Sequence, residues 1–420
     1  MFKIFKIFNL FNLLNLLNLF TTASLHIKPT GRMFHNAVLN INKNKNHNKN
    51  EIWMLGGIQQ PPGINRTCLE DCSGPISNGL WKYNIDENTW CYNNVSFPKR
   101  RGSSIISNND FIYIQGGGIT NTKNPFLSIP LSDMWRYDKS KTDTEGDGHG
   151  DSDGDTEMQW TQIKTNNPDI YLHESVITDD GQIYSLGGFD TNGHSPYLYI
   201  FDGKKWSREI AFPFSKNISE TSSENSSGNS SGNSTETSTG IWGHSMTLVD
   251  KRYIYIIGGT CGPPTETTSF NKDVWTYDIL TKKWNLECGG IPIYGHRACH
   301  VERHLVTNNH LQGLQDPDNS VDYLYSENHI SFPNDDIIIT GGFYPTKNVK
   351  NNEGATHLDG TTKNIYCFNT RSRTWKYMGS MQKPREFHSA IFINDVIFVF
   401  GGYHIGYFWD NGEVIYLMKK

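Results

Sequence analysis

The sequence predicts an all-β fold in which six copies of one four-stranded unit close into a ring, a six-bladed β-propeller. The first observation is a Gly-Gly doublet that follows an apolar strand six times in the 420 residues. The second is composition: aromatic residues make up 13% of the chain and glycines number 39, while charged residues reach only 19%. Such a composition favours strands and tight turns over helices. The third is a tryptophan that follows a polar turn in five of the copies.

Each copy contains a first strand, a second strand that ends in Gly-Gly, a loop, a third strand, a polar turn and an outer strand. In the fourth copy the first three strands are Ser245-Met-Thr-Leu, Ile254-Tyr-Ile-Ile and Val274-Trp-Thr-Tyr, and the outer strand begins at Trp284. A four-stranded sheet buries little surface alone, so the units must stack face to face around an axis. Glycine allows positive φ and close backbone approach at the doublet, while Tyr and Trp supply apolar area between blades.

The doublets are Gly56 and Gly57, Gly116 and Gly117, Gly187 and Gly188, Gly258 and Gly259, Gly341 and Gly342, and Gly401 and Gly402. The tryptophans of the outer strands are Trp90, Trp160, Trp206, Trp284 and Trp375. The predicted blades span about residues 31–96, 99–166, 171–212, 241–290, 294–380 and 385–418. Together they form one domain over residues 24–420.

Closure of the ring is predicted from the two ends of the repeat. The sixth copy ends at Leu417-Met-Lys-Lys without a tryptophan or an outer strand. Residues 24–28, Ser-Leu-His-Ile-Lys, lie directly before the first copy, in the place that Trp90 and its strand hold before the second. We therefore expect the last blade to be closed by the N-terminal strand at residues 24–28.

The pattern resembles the kelch-repeat family. The residues that carry the resemblance are the apolar strand with Gly-Gly, the third-to-outer hairpins Trp81–Trp90 and Trp275–Trp284, and the Arg-x-x-His sequences at Arg32–His35 and Arg385–His388. The resemblance covers nearly everything after residue 24. It implies a kelch-type propeller and, more loosely, a binding role, because a fold does not determine a function.

The N-terminus predicts a signal peptide over residues 1–23, with two lysines, a Leu/Phe-rich stretch and small residues at Thr21-Thr22-Ala23. An uncleaved signal anchor and an amphipathic stretch without a targeting role are the alternatives, since asparagines interrupt the apolar run. Cleavage would leave no stable membrane span and would place the protein outside the cell or in the lumen of the secretory pathway. Six glycosylation sequons agree with that route: Asn65, Asn94, Asn217, Asn225, Asn229 and Asn233.

Seven cysteines leave at least one thiol unpaired in an oxidising compartment. The disulfide candidates are Cys68 with Cys72 and Cys261 with Cys288. No Cys-x-x-Cys pair supports a zinc site.

Insertions near residues 140–157, 215–240 and 302–334 are expected to be disordered. Asp151-Ser-Asp153-Gly-Asp155 begins like a calcium loop, but Thr156 replaces the glycine that the turn needs, which favours a solvated acidic loop. Loops after the second and the outer strands should share one face of the ring. The acidic stretch and residues 302–334 should emerge on the opposite face.

Histidines recur near the first strands, which line the channel of a propeller: His35, His173, His244, His296, His300 and His388. A metal-binding ring is one interpretation, but repetition at one template position is what a packing residue would show. No cofactor and no metal site are predicted. No nucleophile elbow, P-loop or HExxH motif indicates a catalytic site.

The sequence therefore predicts a secreted or lumenal propeller that binds a protein or a glycan through one loop face. The net charge of −5 gives no reason to expect a nucleic acid partner. The alternatives are a carbohydrate-active enzyme of the galactose-oxidase-like or sugar-mutarotase-like type, suggested by the Tyr403-His404 dipeptide and by blade number, and an intracellular kelch adaptor. The binding candidates are aromatic residues of the loop face: Phe126, Phe343, Tyr344, Tyr403, Tyr407, Phe408 and Trp409.

Overall fold

The computed structural model describes an all-β chain with a short 3₁₀ turn at Lys139–Lys141. The described residues are 28–42, 49–59, 76–77, 79–121, 128–141, 158–209, 212–213, 240–261, 270–301, 321–324, 336–344, 349–350, 356–357, 360–393, 396–404, 407–410 and 412–416. Within them, no helix has the length and apolar character needed to cross a bilayer. The predicted signal peptide and the acidic loop at 143–157 lie outside the described residues.

Six four-stranded sheets form the blades, and the strands of each sheet follow one another from the channel outwards. Blade 1 contains Asn36–Asn42, Lys49–Leu55, Gly79–Asn84 and Thr89–Asn94, and blade 2 contains Ser104–Ser107, Phe111–Gln115, Met134–Asp138 and Trp160–Gln162. Blade 3 contains Glu174–Ile177, Ile183–Leu186, Leu198–Phe201 and Trp206–Arg208, and blade 4 contains Trp242–Val249, Tyr253–Thr260, Asp273–Asp278 and Lys283–Gly289. Blade 5 contains Arg297–Val301, Asp336–Thr340, Asn364–Asn369 and Thr374–Ser380, and blade 6 contains Ser389–Ile393, Val396–Phe400, Gly412–Tyr416 and Val321–Leu324.

The first strands adjoin one another in cyclic order, so they line a central channel and close the ring from blade 6 to blade 1. In blades 1 to 5 the four strands pair antiparallel in sequence order. The predicted propeller and its strand order are therefore confirmed. Because successive strands are antiparallel, loops after the second and the outer strands emerge on one face, which we call the loop face.

Apolar packing between neighbouring blades holds the ring together. Each of six buried clusters joins two adjacent blades, and one of them joins blade 6 to blade 1 through Phe398 and Val414 against Ile52 and Met54. Aromatic rings thus occupy the blade interfaces that the sequence assigned to them. Each outer-strand tryptophan packs against the ring opposite it in the third strand with the planes tilted. The pairs are Tyr83–Trp90, Tyr137–Trp160, Phe201–Trp206, Tyr277–Trp284 and Phe368–Trp375, at 5.0, 5.5, 5.3, 5.1 and 4.9 Å between centroids.

The prediction that residues 24–28 form the outer strand of blade 6 is wrong. In the structure the outer place of blade 6 is taken by Val321–Leu324, which pairs parallel to Gly412–Tyr416. Residues 24–27 of the predicted strand lie outside the described residues. An outer edge offers unpaired N–H and C=O groups to any extended segment that can reach it, so sequence adjacency did not decide the partner. It also follows that part of the 302–334 insertion, expected to be disordered, is a strand.

Candidate functional site

A four-residue turn leads into every first strand on the loop face. Its members are Arg32–His35, Arg100–Ser103, Ile170–His173, Ile241–His244, Ile293–His296 and Arg385–His388. The carbonyl of the first residue accepts a hydrogen bond from the second glycine of the previous blade's doublet. These six bonds are Gly57 to Arg100, Gly117 to Ile170, Gly188 to Ile241, Gly259 to Ile293, Gly342 to Arg385 and Gly402 to Arg32, at 3.1, 2.8, 2.8, 2.7, 2.9 and 2.8 Å. The last one closes the ring.

The third residue of this turn is left-handed in every blade, including three positions that are not glycine. Phe34, Leu172 and Phe387 have φ of 55°, 56° and 51°. Left-handed backbone is unfavourable for large residues, and surrounding contacts must hold it. The backbones of these residues bond to each other around the channel; for example, the Gly102 amide donates to the Phe34 carbonyl at 2.8 Å and the Leu172 amide to the Gly102 carbonyl at 2.7 Å. This arrangement turns three apolar side chains toward the loop-face end of the channel, where they line its cavity.

Four aromatic rings and one leucine surround that end of the channel, and we call this group the channel mouth: Phe34, Leu172, Trp242, Tyr294, Phe387. The Phe34 and Phe387 rings lie 4.4 Å apart, and Phe387 stacks on Trp242 at 6.1 Å with the planes 4° apart. Trp242 and Tyr294 are buried, whereas Phe34, Leu172 and Phe387 are half-buried. The mouth is therefore a rigid apolar surface that remains partly open to solvent.

Histidine is the fourth residue of the turn in five of the six blades, and all five side chains are buried. Each ring packs against the first glycine of the preceding doublet; a Cβ built on Gly187 would lie 2.9 Å from His244 Cε1, and one on Gly341 2.8 Å from His388 Cε1. Among the described residues, no group of three His, Cys, Asp or Glu side chains could hold a metal ion. The close contacts of the recurring histidines with the doublet glycines are those of packing residues.

Burial lowers the pKa of these histidines far below its ordinary value. It brings the pKa of His173, His244 and His296 to about 3, and neighbouring groups, Arg297 among them, add to the effect on the latter two. Neither ring nitrogen of His173 or His244 has a hydrogen-bond partner among the residues that the structure describes. These rings are neutral at physiological pH.

An ion pair crosses the channel below the mouth. Arg297 on blade 5 pairs with the carboxylate of Glu174 on blade 3, and Arg297 Nε also donates to the His388 carbonyl at 2.7 Å. The cavity between this pair and the mouth has a volume of about 20 Å³, room for roughly one water molecule. A ligand larger than about one water molecule therefore does not fit inside this cavity.

The predicted binding aromatics differ in how far the structure exposes them. Phe343 and Tyr403 are buried at 5% and 8% exposure, and they stabilise the rim of the mouth rather than present a free surface. Tyr344 is half-buried, as are Phe408 and Trp409, while the Tyr407 side chain and all of Phe126 lie outside the described residues. The Trp409 indole donates to the Pro384 carbonyl at 2.9 Å and lies under Lys383, whose ammonium is 4.7 Å from the ring centroid. Tyr407–Phe408 pairs with Tyr403–His404 as a two-stranded ribbon.

The prediction of a Cys261–Cys288 disulfide is wrong, because both thiols are free. Cys288 lies opposite Val274, which in turn lies opposite Ile257 on the second strand. Two strand spacings of about 4.8 Å already exceed the Cα separation that a disulfide spans, and Cys261 is four residues further along. Cys68 and Cys72 lie outside the described residues. Of the sequons, Asn94 is described and is exposed at the end of an outer strand.

The site residue that sequence reasoning missed is Glu386, the second residue of the last turn. Its side chain is buried at 5% exposure, and its Oε2 has no hydrogen-bond partner within the described part of the chain. Desolvation raises the pKa of this carboxyl to about 8. The signal was present in the sequence, since the other blades carry Met33, Arg101, Tyr171, Trp242 and Tyr294 at this position and none is acidic. Its meaning depended on knowing that the position is buried.

Six radial four-stranded sheets around a central channel, with an apolar mouth on the loop face, define a six-bladed β-propeller. Residues 247–286, which form most of blade 4, match the family model of the kelch motif. The chain therefore contains a kelch motif within a six-bladed propeller, in agreement with the resemblance seen in its sequence. No curated protein matches the chain.

Proposed function

We propose that this propeller binds a protein partner through its loop face, with the channel mouth as the contact centre. The observation that carries the proposal is the half-buried apolar group of Phe34, Leu172 and Phe387, held in left-handed backbone beside the buried Trp242. Rigid aromatic residues at the centre of a concave face, stacked on buried neighbours, are typical of interface hot spots. Kelch propellers in general suggest a protein-binding scaffold, which agrees with this use of the face.

The test compares partner capture by the wild-type protein with capture by a Phe34→Ala, Phe387→Ala double variant. Truncation of central aromatic anchors typically costs about 2 kcal/mol or more each, about 30-fold in affinity. Leu280→Ala is the matched control, because Leu280 is 72% exposed in the turn between the third and outer strands, on the opposite face. We expect cross-linked partners that wild type and the control share to be lost from the double variant. Equal recovery by all three proteins would place the contact elsewhere.

We further propose that the protein enters the secretory pathway. The basic and apolar N-terminus and the exposed Asn94 sequon support this route. Intact-mass measurement of the protein from its native source provides the test. A chain that begins near Ser24 and carries N-glycans is expected, whereas an unmodified chain that begins at Met1 would instead support an intracellular adaptor.

Two alternatives, a glycan ligand and a carbohydrate-active enzyme, can be tested with the same purified protein and its variants. The observation in favour of an enzyme is that a carboxyl and two phenols, those of Glu386, Tyr294 and Tyr403, come together beside the mouth. Competition by free oligosaccharides for the captured partner would favour a glycan. The wild-type protein would be an enzyme if it oxidised galactose or interconverted sugar anomers and Glu386→Gln lost that activity. That result would argue against the binding proposal.

A further inference from the structure

We propose that Glu386 selects a partner that inserts a basic side chain, lysine or arginine, at the edge of the channel mouth. This inference rests on the proposed protein-binding function and adds the chemistry of the contact. It begins from a mismatch: Glu386 is a buried acidic side chain of the loop face whose carboxylate oxygen Oε2 has no partner among the described residues. Buried carboxylates are normally paired or hydrogen-bonded, and an orphaned one requires an explanation.

The backbone fixes Glu386 in place without satisfying its side chain. Its amide donates to the Tyr403 carbonyl at 3.0 Å, and its carbonyl accepts from the Tyr403 amide at 2.9 Å. Across the blade boundary, a Cβ built on Gly295 would lie 3.4 Å from Glu386 Cβ. The carboxyl therefore lies at the seam between blades 5 and 6, in a position that rigid elements hold on both sides.

Charged neighbours in the described part of the chain do not neutralise this carboxyl. Its acidity is shifted by burial alone, without a contribution from a nearby cation. The adjacent Arg385 points into its own blade, where it donates to the Gly401 carbonyl at 2.6 Å and pairs with Glu413. The titratable groups that face Glu386 are the phenols of Tyr294 and Tyr403. Burial raises the pKa of Tyr294 well above its usual value, and Glu386 adds to that rise.

The surroundings fit a cation better than a neutral group. Tyr294 contributes an aromatic ring whose centroid lies 5.9 Å from that of Phe387 and 5.2 Å from that of Phe343. Aromatic faces around a carboxylate attract ammonium and guanidinium groups by cation–π interaction and by charge. Glu386 is 5% exposed, so the proposed contact requires a neighbouring ring to shift and admit the partner side chain.

A structural role makes a different prediction from a binding role. If Glu386 served only to fill the seam as a neutral acid, glutamine would replace it without changing any binding. If Glu386 binds a cation, its neutral carboxyl group must ionise to the carboxylate on binding, and binding then releases a proton. Affinity should rise by about tenfold or more between about pH 6.5 and about pH 8.5, because the carboxyl is mostly protonated at the lower value.

The experiment measures fluorescence anisotropy of a labelled Gly-Ser peptide with one central lysine, at both pH values. Matched peptides carry arginine, acetyl-lysine or norleucine at that position. We expect the lysine and arginine peptides to bind and to tighten with pH, and the neutral peptides to bind at least about tenfold more weakly. Glu386→Gln should lose both the preference and the pH dependence. Glu87→Gln, which removes an exposed carboxyl on blade 1, should keep them.

Absence of binding by the lysine and arginine peptides at the higher pH would overturn the inference, as would equal binding by Glu386→Gln. Thermal unfolding of Glu386→Gln distinguishes loss of the site from loss of the fold. The proposed function and this inference fail in different ways. Partner capture that survives the Phe34→Ala, Phe387→Ala substitutions rejects the loop-face function itself. Capture that is lost there but survives in Glu386→Gln rejects only the role of the basic side chain.

Discussion

Acid should destabilise this propeller well above the pH at which most proteins unfold. His173, His244 and His296 have a pKa of about 3 in the folded protein, against 6.5 for an exposed histidine. The folded-state pKa is depressed, so the stability that these residues contribute is complete above about pH 6.5 and is lost as the pH falls toward about 3. Between those pH values the histidines of the unfolded chain are protonated, whereas those of the native protein stay neutral.

The magnitude follows from the three shifts. Lowering the pH from about 7 to about 5 costs each of the three histidines about 1.9 kcal/mol, or about 6 kcal/mol together. Glu386 acts in the opposite direction, because its raised pKa of about 8 makes the native state bind a proton that the unfolded state releases; it restores about 2.5 kcal/mol over the same interval. The net loss is about 3 kcal/mol, and the buried His35 and His388, whose pKa is also lowered, increase it. Domains of this kind have only about 5–15 kcal/mol in total.

Denaturant unfolding at a series of pH values from about 7 to about 5 checks the prediction. The free energy of unfolding should fall by at least about 2.5 kcal/mol per pH unit near pH 5.5, which corresponds to a net uptake of about 1.8 protons on unfolding. His173→Leu removes one titrating ring and should reduce that slope by about 1.4 kcal/mol per pH unit. Ser103→Ala changes the equivalent buried position of blade 2 and should leave the slope unchanged. A flat profile, or identical slopes for wild type and His173→Leu, would refute the reasoning.

Three further outcomes are expected. Asp133→Asn should cost about 3–5 kcal/mol in chemical unfolding, because the buried Arg100 loses its counter-charge and one of its two bonds of 2.7 Å to the carboxylate, since an amide offers one acceptor oxygen. The double variant Arg100→Met, Asp133→Leu should recover much of that loss, and no recovery would contradict the argument. Gly402→Ala should lower Tm far more than Gly203→Ala. Both glycines have positive φ, but only a Cβ at position 402 would lie 2.9 Å from His388 Cβ, whereas one at position 203 meets nothing within 4 Å. Similar Tm shifts for the two variants would count against this explanation. On the proposed secretory route, Asn94→Gln should reduce the mass of the protein by one N-glycan, and an unchanged glycan mass would show that the sequon is not used.

Much of the fold could be predicted because the repeat encodes it locally. The doublet at Gly258 and Gly259 and the hairpin from Trp275 to Trp284 each specify a turn or a cross-strand contact within a few residues, and the same pattern recurs around the ring. The candidate site could not be predicted in this way. Phe343 and Tyr403 have the composition expected of binding residues, yet their rings are buried against neighbouring turns, and burial is set by residues far away in the chain.

The repeat pattern was sufficient to predict the blade count, the order of strands within a blade and the packing role of the aromatic residues, because each depends on a pattern that recurs in every blade. Tertiary structure alone decided which segment pairs with the last blade, where Val321–Leu324 displaced the expected N-terminal strand. It also decided that Phe34 and Phe387 line the channel cavity at the mouth, whereas those predicted binding aromatics that the structure describes do not. The physical reason is the same in each case. Edge pairing, burial and desolvation depend on what approaches from a different blade, and no spacing along one chain segment records that approach.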